Sequence, residues 1–263
     1  MIITTLMENT AIEDGFLFEH GLSLHIQTRE HRVLFDTGQS NGFIANAGRL
    51  GIDLAAVDMA VLSHGHYDHG GGLMGFLALN SKAPVYVSRY AFDGFYAGEE
   101  RYIGLEPALK ANPRLVPVGD SLEIGDGLTL FSCNERPRPY VMDSYGLNVL
   151  RGDALMPDDF RHEQYLLIQE EGMRVLISGC SHKGILNIMS WLKPDVLIGG
   201  FHFMKVDPAG SEREVLDEAA RVLLEYNAAY YTCHCTGLPQ YEYLKQLMGN
   251  QLGDLAAGQQ IVL

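Results

Sequence analysis

The chain has 263 residues, 47% of them apolar, with 19 basic against 33 acidic side chains for a net charge of −14. That apolar share supports a full hydrophobic core and excludes a disordered or low-complexity chain. The acidic balance argues against a nucleic-acid partner, whose phosphates call for a basic footprint. Residues 1–6 carry no basic, then apolar leader, and no run of about 18 apolar residues offers a membrane span, so a cytoplasmic protein without membrane contact is expected.

The chain opens with alternating, strand-like runs at 2–7, 22–27 and 32–35, then a helical stretch over 41–50 and a strand over 57–62. A helix over 72–79 and a strand over 84–87 follow. Residues 89–113 are rich in aromatics (Tyr90, Phe92, Phe95, Tyr96, Tyr102) without a period. Short β-type runs at 115–118 and 128–132 lead into the Pro/Arg stretch 135–139 and an irregular segment to Arg161. Strand and helix then alternate: strands 165–168 and 174–178, helix 184–192, strand 196–198, helix 212–226, strand 230–232 and helix 240–248. No Pro/Ser/Gly-rich or charge-dense linker divides the chain, so residues 1–263 are expected to form one domain, with 89–162 as a substrate-binding insertion or lid.

The chemistry concentrates in Ser63-His64-Gly65-His66-Tyr67-Asp68-His69-Gly70-Gly71-Gly72, directly after the apolar run Ala60-Val61-Leu62. In extended backbone His64 and His66 point to the same side, so two ring nitrogens can reach one ion. Asp68 and His69 fall where the chain leaves the strand and can face a second ion. Three further histidines, His182, His202 and His234, also follow apolar strands, and strand ends of an α/β sheet gather at one edge. His20, His25, His31 and His162 lie at turns or on alternating strand faces and are expected at the surface. The four cysteines, Cys133, Cys180, Cys233 and Cys235, do not make a disulfide framework in a chain of this length, and Cys233-His234-Cys235 lacks the second pair a zinc knuckle needs.

His64-x-His66-x-Asp68-His69 after an apolar strand, with Leu34-Phe35-Asp36-Thr37-Gly38 upstream, resembles the metallo-β-lactamase superfamily. Ser178-Gly179-Cys180-Ser181-His182-Lys183-Gly184, Gly199-Gly200-Phe201-His202 and His234-Cys235-Thr236-Gly237 resemble its dihydropterin (ribofuranosylaminobenzene 5′-phosphate) synthase-like subfamily. The resemblance covers about residues 1–80 and 163–240. It implies an α/β (α+β) fold, a four-layer αβ/βα sandwich of two mixed β-sheets flanked by helices. The parallel between 32–64 and 174–202, each a buried strand, a turn, a helix and a strand delivering a His, fits an internal duplication.

The resemblance further implies one ion held by His64, His66 and a third His, assigned to His182, and a second held by Asp68, His69 and His234. Where many relatives carry a bridging Asp, this chain has Gly179-Cys180-Ser181-His182, which makes Cys180 a bridging ligand or a supporting group behind the ligands and leaves the number of ions open. Asp68 is the expected proton-handling residue, and His202 is expected to transfer a proton or contact the substrate. Asp36 either caps its turn or orients a ligand histidine, and Lys183, Arg136 and Arg138 are candidate substrate contacts. Nitrogen-rich coordination and a thiol suit two divalent ions of the zinc type, with Mn2+ or Fe2+ as alternatives. The expected function is a metal-dependent hydrolase acting on a small anionic ester, phosphoester or pterin-like metabolite. Its alternatives are a transferase displacing pyrophosphate from a pterin methyl diphosphate and a non-catalytic metal- or ligand-sensing module. The partner is a small molecule, and the oligomeric state is open.

Overall fold

The computed structural model describes residues 1–263. One seven-stranded sheet runs, in spatial order, Gln260–Val262, Ile2–Met7, Ser23–Gln27, Arg32–Phe35, Met59–Val61, Val85–Ser88 and Leu115–Val118. The second runs Leu252–Asp254, Ala229–Thr232, Val196–Ile198, Met173–Ile177, Tyr165–Glu170, Leu128–Phe131 and Ser121–Gly125. Each sheet turns from antiparallel to parallel at one strand, Arg32–Phe35 in the first and Met173–Ile177 in the second, and three parallel strands follow. The two halves of the chain thus repeat one topology.

Alternation of side chains along the strands builds the layers. Val33, Phe35, Met59 and Val61 of the first sheet face Val175, Ile177, Val196 and Ile198 of the second in one shared core. Their neighbours point outward, Leu34 and Ala60 against Phe43 and Phe76 of the helices Gly42–Arg49 and Leu73–Leu79. On the far side Leu176 and Leu197 meet Ile188, Leu216 and Leu244 of the helices Ile185–Leu192, Arg213–Leu223 and Leu238–Met248. The order is helix, sheet, sheet, helix, the four-layer sandwich expected. A one-residue slip of Arg32–Phe35 would exchange its two cores, so the register is tightly specified.

The segment expected to be irregular up to Arg161 is not all loop. Ala154–Pro157, Leu147–Arg151, Phe95–Ala97 and Arg101–Tyr102 pair into a third, four-stranded sheet with its own small core of Phe95, Ile103 and Val149. Its register joins Phe95 to Val149 across more than fifty residues, a pairing that no local period announces. No helix of the protein is long and apolar enough to cross a membrane.

Candidate metal centre

The parallel strands of both sheets end at one edge, and the candidate ligands leave from those ends. Met59–Val61 leads into His64, Gly65 and His66, and the short helix Tyr67–Gly70 carries Asp68 and His69. From the second sheet, Met173–Ile177 leads to Cys180 and His182, Val196–Ile198 to His202, and Ala229–Thr232 to His234. Asp36, His202 and His234 adopt positive φ of 58°, 58° and 49°. Asp and His tolerate this left-handed backbone better than most side chains, and such positions gather at functional sites. Gly179 has to be glycine for a steric reason, since a Cβ there would lie 2.3 Å from Ser63 Oγ.

The donor atoms form two adjoining clusters. In the first, His64 Nε2 lies 3.3 Å from His182 Nε2 and the His66 donor is within 4.8 Å of both. In the second, His69 Nε2 lies 3.3 Å from His234 Nε2, and Asp68 Oδ2 is 3.2 Å from His234 Nε2 and 3.8 Å from His69 Nε2. Cys180 Sγ stands 3.2 Å from His69 Nε2 and also groups with His64, His182 and His202, so the thiol borders both clusters. Two nitrogens bound tetrahedrally to one zinc-sized ion sit about 3.3 Å apart. The structure therefore brings His64, His66, His182, Asp68, His69, His234, Cys180 and His202 into one site. All but His202 are buried.

The hydrogen bonds behind these rings fix where the lone pairs point. Asp36, fully buried, accepts from Ser63 N–H at 2.7 Å, Ser63 Oγ–H at 2.6 Å and His69 Nδ1–H at 2.7 Å. Having spent its only proton on Asp36, the Ser63 hydroxyl must accept from His64 Nδ1–H at 2.8 Å. His234 Nδ1–H likewise donates to Asn9 Oδ1 at 2.9 Å. Neutral His64 consequently aims its Nε2 lone pair into the site, His234 turns its Nε2 to Asp68 Oδ2, and the buried His66 Nε2 has no hydrogen-bond partner. A buried ring nitrogen without a hydrogen-bond partner, set among other ligand-type atoms, is satisfied by a cation. The donor set fits a divalent metal. Burial, reinforced by neighbouring histidines, holds His64 and His182 well below the usual imidazole pKa and His66 down to about 3. At His69 burial acts in the same sense, yet Asp36 and Asp68 outweigh it and push the pKa up to about 9. Burial works against charge on Asp68 too, but His69, His20 and His234 hold it well below the carboxylate range.

The other expected site residues lie elsewhere. Lys183 is buried, with its Nζ donating to the backbone oxygens of Ser132 at 2.6 Å and Glu163 at 2.8 Å. Arg136 donates to the carbonyl of Trp191 and Arg138 to that of Asp159, and none of the three lines the pocket over the site. Of the histidines expected at the surface, His25 and His162 are buried, and exposed His20 reaches Asp68 at 3.4 Å with its ring 4.4 Å from that of His234. Tertiary packing decides these, and alternation of side chains cannot. Sequence reading also passes over Ser63, although it directly precedes His64, and over Glu8 and Asn9, whose side chains hold His234 N–H and Nδ1–H.

A cavity of about 230 Å³ opens onto Asp68, His66, His182, His202 and His234. Tyr67, Ala97, Arg101, Ile103, Tyr145, Leu147, Met204 and Lys205 are among its other walls, so the small third sheet supplies one side of it. Arg101 donates to Tyr67 Oη at 2.8 Å, and Lys205 to the Tyr145 carbonyl at 2.5 Å.

Comparison with known proteins agrees with this fold. The sequence profile of the metallo-beta-lactamase superfamily matches residues 18–221. A solved structure described as Tm1679, a metal-dependent hydrolase of the beta-lactamase superfamily, superposes with a TM-score of 0.85 at 31% identity, covering 100% of this chain and 99% of that one. The 7,8-dihydropterin-6-methyl-4-(beta-D-ribofuranosyl)-aminobenzene-5′-phosphate synthase of Methanocaldococcus jannaschii is 29% identical over 89% of this chain and 87% of its own. The zinc-bound PqqB of Methylobacterium extorquens shares the fold, with a TM-score of 0.58 at 13% identity over 100% of both chains. The chain belongs to the metallo-beta-lactamase superfamily.

Proposed function

We propose that the protein is a binuclear metal-dependent hydrolase of a small anionic ester or phosphoester. The observation that carries this reading is the convergence of buried ligand-type atoms, His64 Nε2 on His182 Nε2 at 3.3 Å and His234 Nε2 on Asp68 Oδ2 at 3.2 Å, at the floor of a pocket. His64, His66 and His182 would hold one ion, and Asp68, His69 and His234 the other, with Cys180 between them. Zinc suits this nitrogen-rich, thiol-bordered set. When bound, such ions lower the pKa of water toward neutrality and stabilise charge developing on substrate oxygens.

The chain's own groups do the rest. Asp68 lines the pocket as well as the second cluster, so its carboxylate is placed to take the proton of an attacking water. His202, on the pocket wall with its ring 4.3 Å from that of His182, is placed to pass a proton to the departing oxygen. Arg101 and Lys205 are the pocket's cations and orient an anionic substrate, the role first expected of Lys183, Arg136 and Arg138. Tyr67, Tyr145, Ile103 and Leu147 offer the remaining surface to an apolar or ring-shaped portion.

Similarity to the synthase favours a second reading, displacement of pyrophosphate from a pterin methyl diphosphate by an arylamine. One experiment separates the readings. Zinc-loaded protein is assayed against phosphodiesters, thioesters and lactones, and against a pterin diphosphate with and without an arylamine. Hydrolysis that Asp68→Asn lowers by about 10²–10⁴-fold at saturating zinc supports the hydrolase. Turnover only with both pterin and arylamine supports the transferase, and no turnover by a fully loaded protein supports a sensing module.

A further inference from the structure

Asp158 and His162, which have no part in the chemistry proposed above, lie directly behind the first ligand group. His66, Asp158 and His162 place their donor atoms within 4.8 Å of one another, all buried, which at first sight offers a third ion site. The hydrogen bonds exclude it. His162 Nδ1 accepts the backbone N–H of Gly65 at 2.9 Å, so that nitrogen carries no proton, and His162 Nε2–H donates to Asp158 Oδ2 at 3.0 Å. Neither ring nitrogen is free. The other Asp158 oxygen accepts Phe160 N–H at 2.7 Å, which ties the carboxylate to its own loop.

Gly65 separates His64 from His66, so this bond grips the peptide joining two candidate ligands. The glycine is closely housed, since a Cβ would lie 2.3 Å from the Ala91 carbonyl oxygen. The neighbours of His162 act on the same ligand group. Phe160 stacks on His182 with rings 4.5 Å apart and 7° from parallel. Glu163 accepts His182 N–H at 2.6 Å, and Gln164 donates from its backbone N–H to the Ser63 carbonyl at 2.8 Å. The Gln164 side-chain amide adds a bond to the Leu62 carbonyl, so Leu62 and Ser63 are both held from this segment just ahead of His64.

We infer that the Asp158–His162 pair is a positioning device for the first ligand group: it sets the spacing of His64 and His66 through Gly65, within a segment, 158–164, that also seats His182. The inference rests on the reading that His64, His66 and His182 hold an ion. It predicts opposite behaviour for two substitutions of one residue. His162→Asn can place an amide oxygen where Nδ1 stands and keep the Gly65 acceptor while giving up Asp158. His162→Gln reaches the Nε2 position, keeps a donor for Asp158 and gives up Gly65.

The test is zinc stoichiometry and affinity of the purified full chain, measured by elemental analysis and competition with a chromophoric chelator, with cobalt absorption reporting coordination geometry. His162→Gln should weaken one of the two ions by about 10–100-fold, the usual effect of losing a group that orients ligands, while His162→Asn stays within a few-fold of the parent. Equal affinity in His162→Gln and the parent overturns the inference but leaves the metal reading standing. A parent that binds no ion overturns both. If His162→Gln does not fold, nitrogen-detected NMR of the unaltered protein decides. An unprotonated Nδ1 on His162 supports the inference, and a protonated Nδ1 refutes it.

Discussion

Zinc titrations between pH 6.5 and 9.5 should tell the two ligand groups apart by the protons they release. Burial and the neighbouring histidines keep His64, His66 and His182 neutral across this range, so an ion entering the first group displaces no proton from them. His69 differs, because Asp36 and Asp68 overcome burial and keep it protonated up to about pH 9. An ion entering the second group must displace that proton. At pH 7, two pH units below 9, the competition weakens the second ion about hundredfold, or ~2.7 kcal/mol. Its apparent affinity should rise about tenfold per pH unit and level off above pH 9, while the first ion stays nearly flat. Calorimetry in two buffers of different ionisation enthalpy counts the protons directly. Asp36→Asn should flatten the slope, since it removes the charge that raises His69, and should weaken the second ion by about 10–100-fold through loss of the bond that orients the ring. The same proton stabilises the metal-free protein: the folded pKa lies above the unfolded value, so this contribution is complete below about pH 6.5 and is lost as pH rises through 9. Equal pH slopes for both ions, or no proton released with the second, would refute the argument.

Arg101→Ala and Lys205→Ala should each raise KM for an anionic substrate by about tenfold and leave zinc stoichiometry unchanged, because both residues line the pocket and neither is among the converging donors. Steady-state kinetics with a charged and an uncharged ester check this, and only the charged one should respond. Lys183→Met should act on stability instead. It leaves the buried carbonyls of Ser132 and Glu163 without their donor and removes the cation near the Glu163 carboxylate, at a cost of about 2–4 kcal/mol in urea unfolding, while KM of the loaded enzyme stays unchanged.

What the sequence makes legible here is what lies close together along the chain. His64, His66, Asp68 and His69 fall within six residues, and the strand before them shows its apolar run, so the two ligand groups can be drawn from local geometry. Asp36 is also legible, as a carboxylate at a strand end, though not its partners. It reaches Ser63 and His69 only because the strands Arg32–Phe35 and Met59–Val61 are parallel neighbours. The third sheet is illegible for the opposite reason. Its strands are short, half-exposed and paired across a long loop, as Phe95 with Val149 shows, and burial on one small core leaves no clean alternation.

Cations and histidines show the same division. A lysine at a strand end beside a candidate ligand suggests an anion contact, yet Lys183 is drawn inward because two backbone carbonyls and Glu163 there leave a place for a buried cation. Arg101, set among aromatics in a stretch without period, reaches the pocket because its sheet folds over the site. His162 carries no motif at all, and its role follows from the peptide N–H of Gly65, a group common to every sequence. The ligands are written in side chains, but what holds them in place is written largely in backbone bonds made across the fold. That is why Asp36→Asn and His162→Gln, at residues that contribute no donor atom to either candidate ligand group, should each weaken metal binding by about 10–100-fold.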